Sequence, residues 1–459
     1  MPSSDLPVDD PVESFWTAPP HHLDDYRSSD APPSESDVVI IGSGYAGVGT
    51  AYHMFNARDP KPSTVMLEAR RITSGATGRN GGHVKPDTYA GITRYASLYG
   101  VKEAAALQKF ESSQVHLVKQ LVEKEGLDCD FHLTRGVDAI LDADLAEKRT
   151  KEYKQLVKDG VVDMKDVAYT PKKDAERVSG VKGAQAAFSF TAAHVWPRKM
   201  VHQLLEKLID QGLQVYAHTP VTEISSTRDE RGRWTVTTPR GTIKAKKVVV
   251  CTNAYTSSVL RQYKGKIVPV RGVCSHISSP KGAKTPHLPS TYSMRFDAEY
   301  YDYLVPRADG SIIVGGAREV FWHDKDSWWD NKNDNELVKN GEKYFDGYMQ
   351  KYFHGWEDSG AKLDKIWTGI MGYSSDLVPH IGEVPGAPGQ YICAGFSGHG
   401  MPQILLASQG IAKMVVEDVP YEQTGLPRVF KTSQARLDSK ANHMEERFKS
   451  VWKRPQPRL

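Results

Sequence analysis

The sequence predicts an α/β fold built on a parallel sheet and interrupted twice by a second, α+β domain. Three observations predict it. Asp37–Ile41 (DVVII) is a short run of mostly β-branched apolar residues, the pattern of a strand buried on both faces of a parallel sheet. A glycine-spaced turn, Gly42-Ser43-Gly44-Tyr45-Ala46-Gly47, follows at once, and Tyr45 to Arg58 supplies a helix to cover the strand. Ser63–Glu68 (STVMLE) then reads as a second parallel strand, closing a βαβ unit.

The remaining elements extend this frame. Residues 1–34, rich in Pro, Ser and Asp, read as an arm that lies on the surface or is disordered. Pro197 takes a first-turn position, and Met200, Val201, Leu204, Leu205, Leu208 and Ile209 recur at helical spacing until Gly212. An extended stretch starts at Leu213, Trp234–Thr238 and Thr242–Ala245 form a hairpin around Arg240-Gly241, and Lys247–Cys251 (KVVVC) is another buried strand. Tyr391–Ala394 is a short strand, and Met401–Val416 is apolar at helical spacing. The first domain is therefore assigned 35–91, 185–267 and 365–420, and the inserted domain 92–184, mostly helical, and 268–364. Residues 421–459 form a C-terminal extension.

Composition narrows the function. Lys plus Arg number 59 and Asp plus Glu 56, a net charge of +3, so nothing favours nucleic acid or an anionic membrane, and a small-molecule partner is expected. Cys129, Cys251, Cys274 and Cys393 lack CxxC spacing, which argues against a zinc site and a disulfide framework and fits a reducing compartment. The N-terminus has no basic and apolar leader pattern, and no apolar run approaches the roughly 18 residues of a membrane span. A cytoplasmic protein is expected. Pro457-Arg458-Leu459 resembles a peroxisomal address except at its first position, which gives the alternative.

The glycines carry the first chemistry. Gly42 permits a tight turn, Gly44 lets the backbone approach a pyrophosphate, Gly47 lets helix and strand pack closely, and the helix start at Tyr45 and Ala46 favours phosphate charge. Glu68, at the end of the second strand, is placed to accept hydrogen bonds from ribose hydroxyls. Dinucleotide binding follows, with FAD and NAD both open at this point. The next segment, Ala69-Arg70-Arg71-Ile72-Thr73-Ser74-Gly75-Ala76-Thr77-Gly78-Arg79-Asn80-Gly81-Gly82-His83, suits a loop whose backbone and hydroxyls line a phosphate and whose glycines admit a flat ring.

This segment resembles the flavin loop of the D-amino acid oxidase-like superfamily of FAD oxidoreductases, in particular its gamma-glutamylputrescine oxidase-like amine oxidases. Three further stretches are similar to that family: Pro220–Ile224, with Val221 at the adenine; Val248–Ala254, with Asn253 and Ala254 at the nucleotide; and Ala394–Met401, with Gly395, Ser397, Gly398, His399, Gly400 and Met401 at the flavin ring. The resemblance spans roughly residues 37 to 415 and implies a glutathione reductase-like FAD fold with a Rossmann-type FAD-binding domain. It also implies FAD as cofactor, an amine or amino acid as substrate, and oxygen or another electron acceptor. Where some relatives bond the flavin to a histidine or a cysteine, this chain has Arg79 and Gly369, so the flavin is expected to be noncovalent. Where oxidases of the family place a lysine near flavin N5, the similar stretch Tyr303–Ala317 has Ile313.

The expected reaction is hydride transfer from the carbon beside an amine nitrogen to flavin N5. His399, with a ring contact or orienting role, His83, Tyr303 and Met371 are the candidate catalytic residues. Tyr301, Trp367 and Tyr373 complete an aromatic surround that would suit a cationic or hydrophobic amine, and Arg198, Arg271 and Arg307 are candidate carboxylate ligands. Phe321, Trp322, Trp328 and Trp329 read as a loop or partner surface. Two other readings stay open: an NAD(P)H-fed FAD monooxygenase, and a flavin-binding protein without turnover.

Overall fold

The computed structural model describes residues 5–452. Its first sheet has eight strands. Five run parallel in the order Gln390–Ala394, Gly241–Val250, Glu35–Ile41, Thr64–Leu67 and Gln214–Tyr216, with His380–Glu383 antiparallel at one edge. The apolar runs arise because both faces are covered. Val38, Ile40, Met66 and Val249 share a core with the helices Tyr45–Ala57, Pro197–Asp210 and Ile404–Val416. Their neighbours Val39, Ile41, Val65, Val248 and Val250 point the other way, into a core with Trp234, Val236 and Tyr263. The two strands expected at 242–245 and 247–251 are one, Gly241–Val250, whose first half also pairs with Trp234–Thr238.

The second sheet has nine strands, in the order Lys362–Ser374, Ile267–Ser278, Ile312–Gly316, Tyr301–Pro306, Thr291–Arg295, His132–Ile140, Ala186–His194 and His83–Val84, with Ala168–Thr170 on the flank of Ala186–His194. Three of these strands lie wholly or mostly in segments assigned to the first domain: His83–Val84, Ala186–His194 and Lys362–Ser374. The chain thus crosses into the second sheet before residue 92 and stays there past 365. Conversely, the long helix Val101–Glu125 packs into the core of the first-sheet helices. The strand His132–Ile140 inside the mostly helical stretch escapes a pattern reading because Asp138, fully buried, interrupts its apolar alternation.

Two expectations are corrected by packing. The N-terminal arm is not loose: Ser14 and Trp16 are fully buried and Leu23 is 2% exposed. The indole N–H of Trp16 donates to Asn80 O, Ser14 Oγ donates to Gly78 O at 2.6 Å, and Arg198 donates to Pro19 O at 2.6 Å and pairs with Asp24. The arm therefore straps the glycine-rich loop. The Trp-rich segment is no partner surface either, since Phe321, Trp322 and Trp328 are buried, with Trp322 stacked on Trp328 at 4.6 Å between ring centroids. Phe448, on the C-terminal helix His443–Trp452, packs edge-on against both indoles. No helix among the described residues is long and apolar enough to cross a membrane. The Pro457-Arg458-Leu459 terminus lies outside the described residues.

Candidate active site

One connected cavity of about 410 Å³ runs between the two sheets, from the glycine turn to the second-sheet strands. At its first end the turn is built as its residue types require. Gly42 has φ +106°, and a Cβ there would lie 2.7 Å from Cys251 O; a Cβ on Gly47 would lie 2.0 Å from Gly42 O. Gly44 faces the cavity, where its nearest neighbour is Thr77 Oγ1, which accepts the Tyr45 backbone N–H at 2.9 Å. Ala46 and the half-buried Glu68 also line this end. Ser43 N and Oγ donate to Glu68 Oε2 at 3.0 and 2.8 Å, and Arg70 N donates to Oε1 at 3.1 Å, which fixes the carboxylate at the cavity wall.

The loop after Glu68 supplies the middle of the cavity. Ala69, Arg70, Thr77, Arg79, Asn80, Gly81 and His83 line it; Ser74, Gly78 and Gly82 do not. Those three shape the loop instead: Ser74 O accepts from Arg79 Nε at 3.1 Å, Gly78 packs on Thr73 O, and Gly82, at φ +75°, packs on Val195 O. The arginines are committed to protein partners. Arg70 forms a two-pronged pair with fully buried Asp334 at 2.9 and 3.1 Å, and Arg79 Nε lies 3.4 Å from the same carboxylate. Arg79 also donates to Thr368 O at 2.6 Å and to Val12 O, so it ties arm, loop and second sheet together.

Val221, Asn253, Ala254, Ser397, Gly398, His399, Gly400 and Met401 complete the lining, while Gly395 stands behind it. Asn253, at φ +43°, holds the last loop by accepting from Gly395 N at 3.0 Å. The helix expected from Met401 begins at Ile404, after a turn. Sequence reading missed the anchor of this loop. Glu111, on the long helix and 2% exposed, accepts from His399 Nε2 at 2.8 Å, Gln403 Nε2 at 2.7 Å and Asp87 N at 2.7 Å, and nearby Gln114 donates to Met401 O at 2.8 Å. Burial opposes charge on His399, but Glu111 and Asp87 outweigh it and raise the imidazole above its usual pKa. His83 is the opposite case. Burial first, then Lys85 and His194, hold it well below the usual value, so it is neutral, bonded to Thr291 Oγ1 at 2.7 Å.

Tyr303 and Met371 line the cavity beside these loops. The Tyr303 ring rests on glycine backbone, since a Cβ on Gly81 or Gly315 would come within 2.3 or 2.2 Å of it, and its hydroxyl lies 2.9 Å from Cys274 Sγ. Ile313 is not at the cavity: it is fully buried with Trp16, Cys274, Val305 and Trp367. Trp367 is also away from it, donating to Arg79 O at 2.8 Å. Of the arginine candidates, Arg198 is held by Asp24 and Arg307 by Asp130, at 2.8 Å, both outside the cavity. Arg271 borders it with its guanidinium bound to Ser327 O and Glu336 O, each at 3.0 Å.

The far end is cationic instead. Arg94, Arg295, Arg318 and Arg447 line it with Tyr301 and Tyr373. Arg318 stacks on the rings of Tyr301 and Trp322 at 4.1 and 4.4 Å and donates to the Tyr301 hydroxyl at 3.0 Å. The aromatic rings here hold arginines rather than offering a cage for a cationic amine. Burial would raise the Tyr301 phenol, but Arg318, Arg447 and Arg295 pull it down to about 8.

Comparison with known proteins agrees with the fold. The model of a family described as FAD dependent oxidoreductase matches residues 37–414. Gamma-glutamylputrescine oxidoreductase of Escherichia coli is 25% identical over 388 residues, covering 83% of this chain and 84% of the relative. Glycine oxidase of Bacillus licheniformis is 24% identical over 364 residues, 76% of this chain and 84% of that one. Among solved structures, glycine oxidase from Geobacillus kaustophilus superposes with a TM-score of 0.67 at 18% identity, over 88% of this chain and 99% of the other.

Proposed function

Because the chain belongs to the family of FAD-dependent oxidoreductases, whose model spans residues 37–414, we propose that it oxidises the carbon–nitrogen bond of an amine or amino acid. The observation that carries the reading is the continuity of the cavity, from the Gly42–Gly47 turn through the glycine loops to Tyr301 and Arg318. Its glycine-turn end and middle fit FAD. Gly44 and the helix start at Tyr45 and Ala46 leave room for a pyrophosphate, Glu68 and Val221 flank the adenosine side, and Thr77, Asn80, Gly81 and the Ser397–Met401 loop present backbone to a flat ring. Bound there, FAD supplies the hydride acceptor at N5.

The chain's own residues position and desolvate. The substrate gives up hydride from carbon and a proton from nitrogen, and the resulting imine adds water to yield a carbonyl compound and a free amine. His399, held by Glu111 and raised above its usual pKa, would when protonated give the loop a fixed positive group and favour negative charge on a ring bound beside it. Neutral His83 and the Tyr303 ring border the same space. The two electrons leave to oxygen or to another acceptor. Relatives named for gamma-glutamylputrescine and for glycine support a C–N substrate, and four buried, unpaired cysteines fit action in a reducing compartment such as the cytoplasm.

Anaerobic titration of the purified holoprotein tests this. A panel of amines and amino acids should bleach the flavin absorbance and release a carbonyl product. Bleaching by NADPH or NADH alone would make it a monooxygenase instead, and no bleaching by any of these would leave a binding protein; either result overturns the reading.

A further inference from the structure

The far end of the cavity carries more positive charge than the protein neutralises. Lys85 and Arg295 share one carboxylate, Asp138, at 2.7 and 2.9 Å, and Arg447 pairs with Glu299 at 2.7 Å. Arg318 donates only to neutral oxygens, the Tyr301 hydroxyl at 3.0 Å and Glu299 O at 3.2 Å. Among the described residues, neither Arg94 nor Arg318 has a carboxylate within ion-pairing distance, and Arg94 Nε is buried without a hydrogen-bond partner. Asp87 is the one acid among the described residues lining this end, and its Oδ1 is taken by Gly91 N at 2.9 Å. Setting Lys85, Arg94, Arg295, Arg318 and Arg447 against Asp87, Asp138 and Glu299 leaves two positive charges, while His399 and Arg149 are balanced by Glu111 and Glu152.

Buried guanidinium groups without counter-charge are costly unless a ligand supplies it. Resting on the C–N oxidation reading above, we propose that the substrate presents a dianionic end, two carboxylates or one phosphate, which Arg94 and Arg318 bind. This excludes the simple diamines and monoamines that an aromatic cage would favour. Arg94 comes from the helix Ile92–Tyr99 and Arg318 from the short helix Arg318–Phe321, so elements far apart in sequence converge on the bound anion. Arg318 is held flat between Tyr301 and Trp322, which orients its donors in advance.

Binding of inert anions to the holoprotein tests the proposal without turnover. Glutarate, inorganic phosphate, butyrate and 1,4-diaminobutane are each titrated, with the flavin spectrum and calorimetry as readouts. Glutarate or phosphate should bind about tenfold or more tighter than butyrate, the worth of one further charge-assisted contact, and which of the two binds tighter identifies the anion. Arg94→Gln and Arg318→Gln should erase that preference, and Arg318→Lys should keep part of it. Butyrate binding as tightly as both dianions, or diaminobutane binding best, overturns the proposal on the wild-type protein alone. Flavin bleaching by amines without any dianion preference overturns it while leaving the C–N reading intact; tight dianion binding with no amine bleaching supports it and overturns the C–N reading.

Discussion

His399 Nε2 lies 2.8 Å from Oε2 of Glu111, a carboxylate 288 residues earlier in the chain and almost wholly buried. The pair fixes the loop that faces the cavity and raises the imidazole above its usual pKa, because Glu111, with Asp87, outweighs the cost of burial.

Glu111→Gln should therefore lower the pKa of His399 while preserving the acceptor for Asp87 N. The raised pKa means that the folded state favours the protonated ring. Its contribution to stability is present below the unfolded histidine value near 6.5 and is lost as pH rises through the higher folded value. A pH titration of the flavin spectrum should show a transition above pH 6.5 in the wild type that moves to lower pH in Glu111→Gln. Identical profiles in both proteins would remove His399 from the flavin's surroundings.

Gly44 and Gly47 should respond differently to a side chain. A Cβ on Gly47 collides with Gly42 O at 2.0 Å, backbone on backbone, so Gly47→Ala should compromise folding itself. Gly44 opens on the cavity, where only Thr77 Oγ1, at 3.1 Å, is close. Gly44→Val should keep the fold by circular dichroism and lose most of its FAD, measured as the flavin to protein absorbance ratio. Full flavin content in Gly44→Val would refute the placement of the pyrophosphate.

The first sheet and the glycine loops were legible because their signals are local: runs such as Val38–Ile41 and Val248–Val250 are continuous where both faces are covered, and the glycines cluster where backbone must approach. Glu111, Asp334, Arg94 and Arg318 were not. Each is an ordinary charged residue among others in a helix or loop, and its meaning comes from partners brought near only by the fold. The arm failed for a related reason: Trp16 has no periodic neighbours to mark it, yet it is fully buried against the glycine-rich loop. The reading of Tyr301 inverted because its ring, which could have faced a cationic ligand, stacks with Trp322 on Arg318.

Asp334→Asn should destabilise strongly. The mutation removes the carboxylate that buried Arg70 and Arg79 share as ion-pair partner. Breaking a buried pair costs about 3–5 kcal/mol, so the thermal midpoint should fall by several degrees, with the loss partly recovered by added FAD if the loop is ordered by the cofactor. A midpoint unchanged within a degree would show that Asp334 is dispensable to the loop.

FAD should leave the protein on acid or heat denaturation. Where some relatives carry a bonding residue this chain has Arg79, its guanidinium consumed by Ser74 O, Thr368 O and Val12 O, and Gly369, whose missing Cβ position lies 3.2 Å from Arg79 Cβ. Flavin fluorescence that stays with the protein band on a denaturing gel would contradict this and point to attachment elsewhere along the cavity.

Ile313→Lys separates the sequence expectation from the structure. If Ile313 stood beside the flavin, a lysine there would add a cation near N5 and speed reaction of the reduced protein with oxygen. The structure instead buries Ile313 completely among Trp16, Cys274, Val305 and Trp367, behind the cavity wall. An ammonium in that apolar cluster must either ionise at the cost of several kcal/mol or remain neutral by a large pKa depression. The expected result is a marked drop in thermal midpoint and no gain in rate when the reduced, folded fraction is mixed with oxygenated buffer in a stopped-flow instrument. Faster oxidation with an unchanged midpoint would mean that this side chain reaches the flavin and that the wall between them is drawn wrongly.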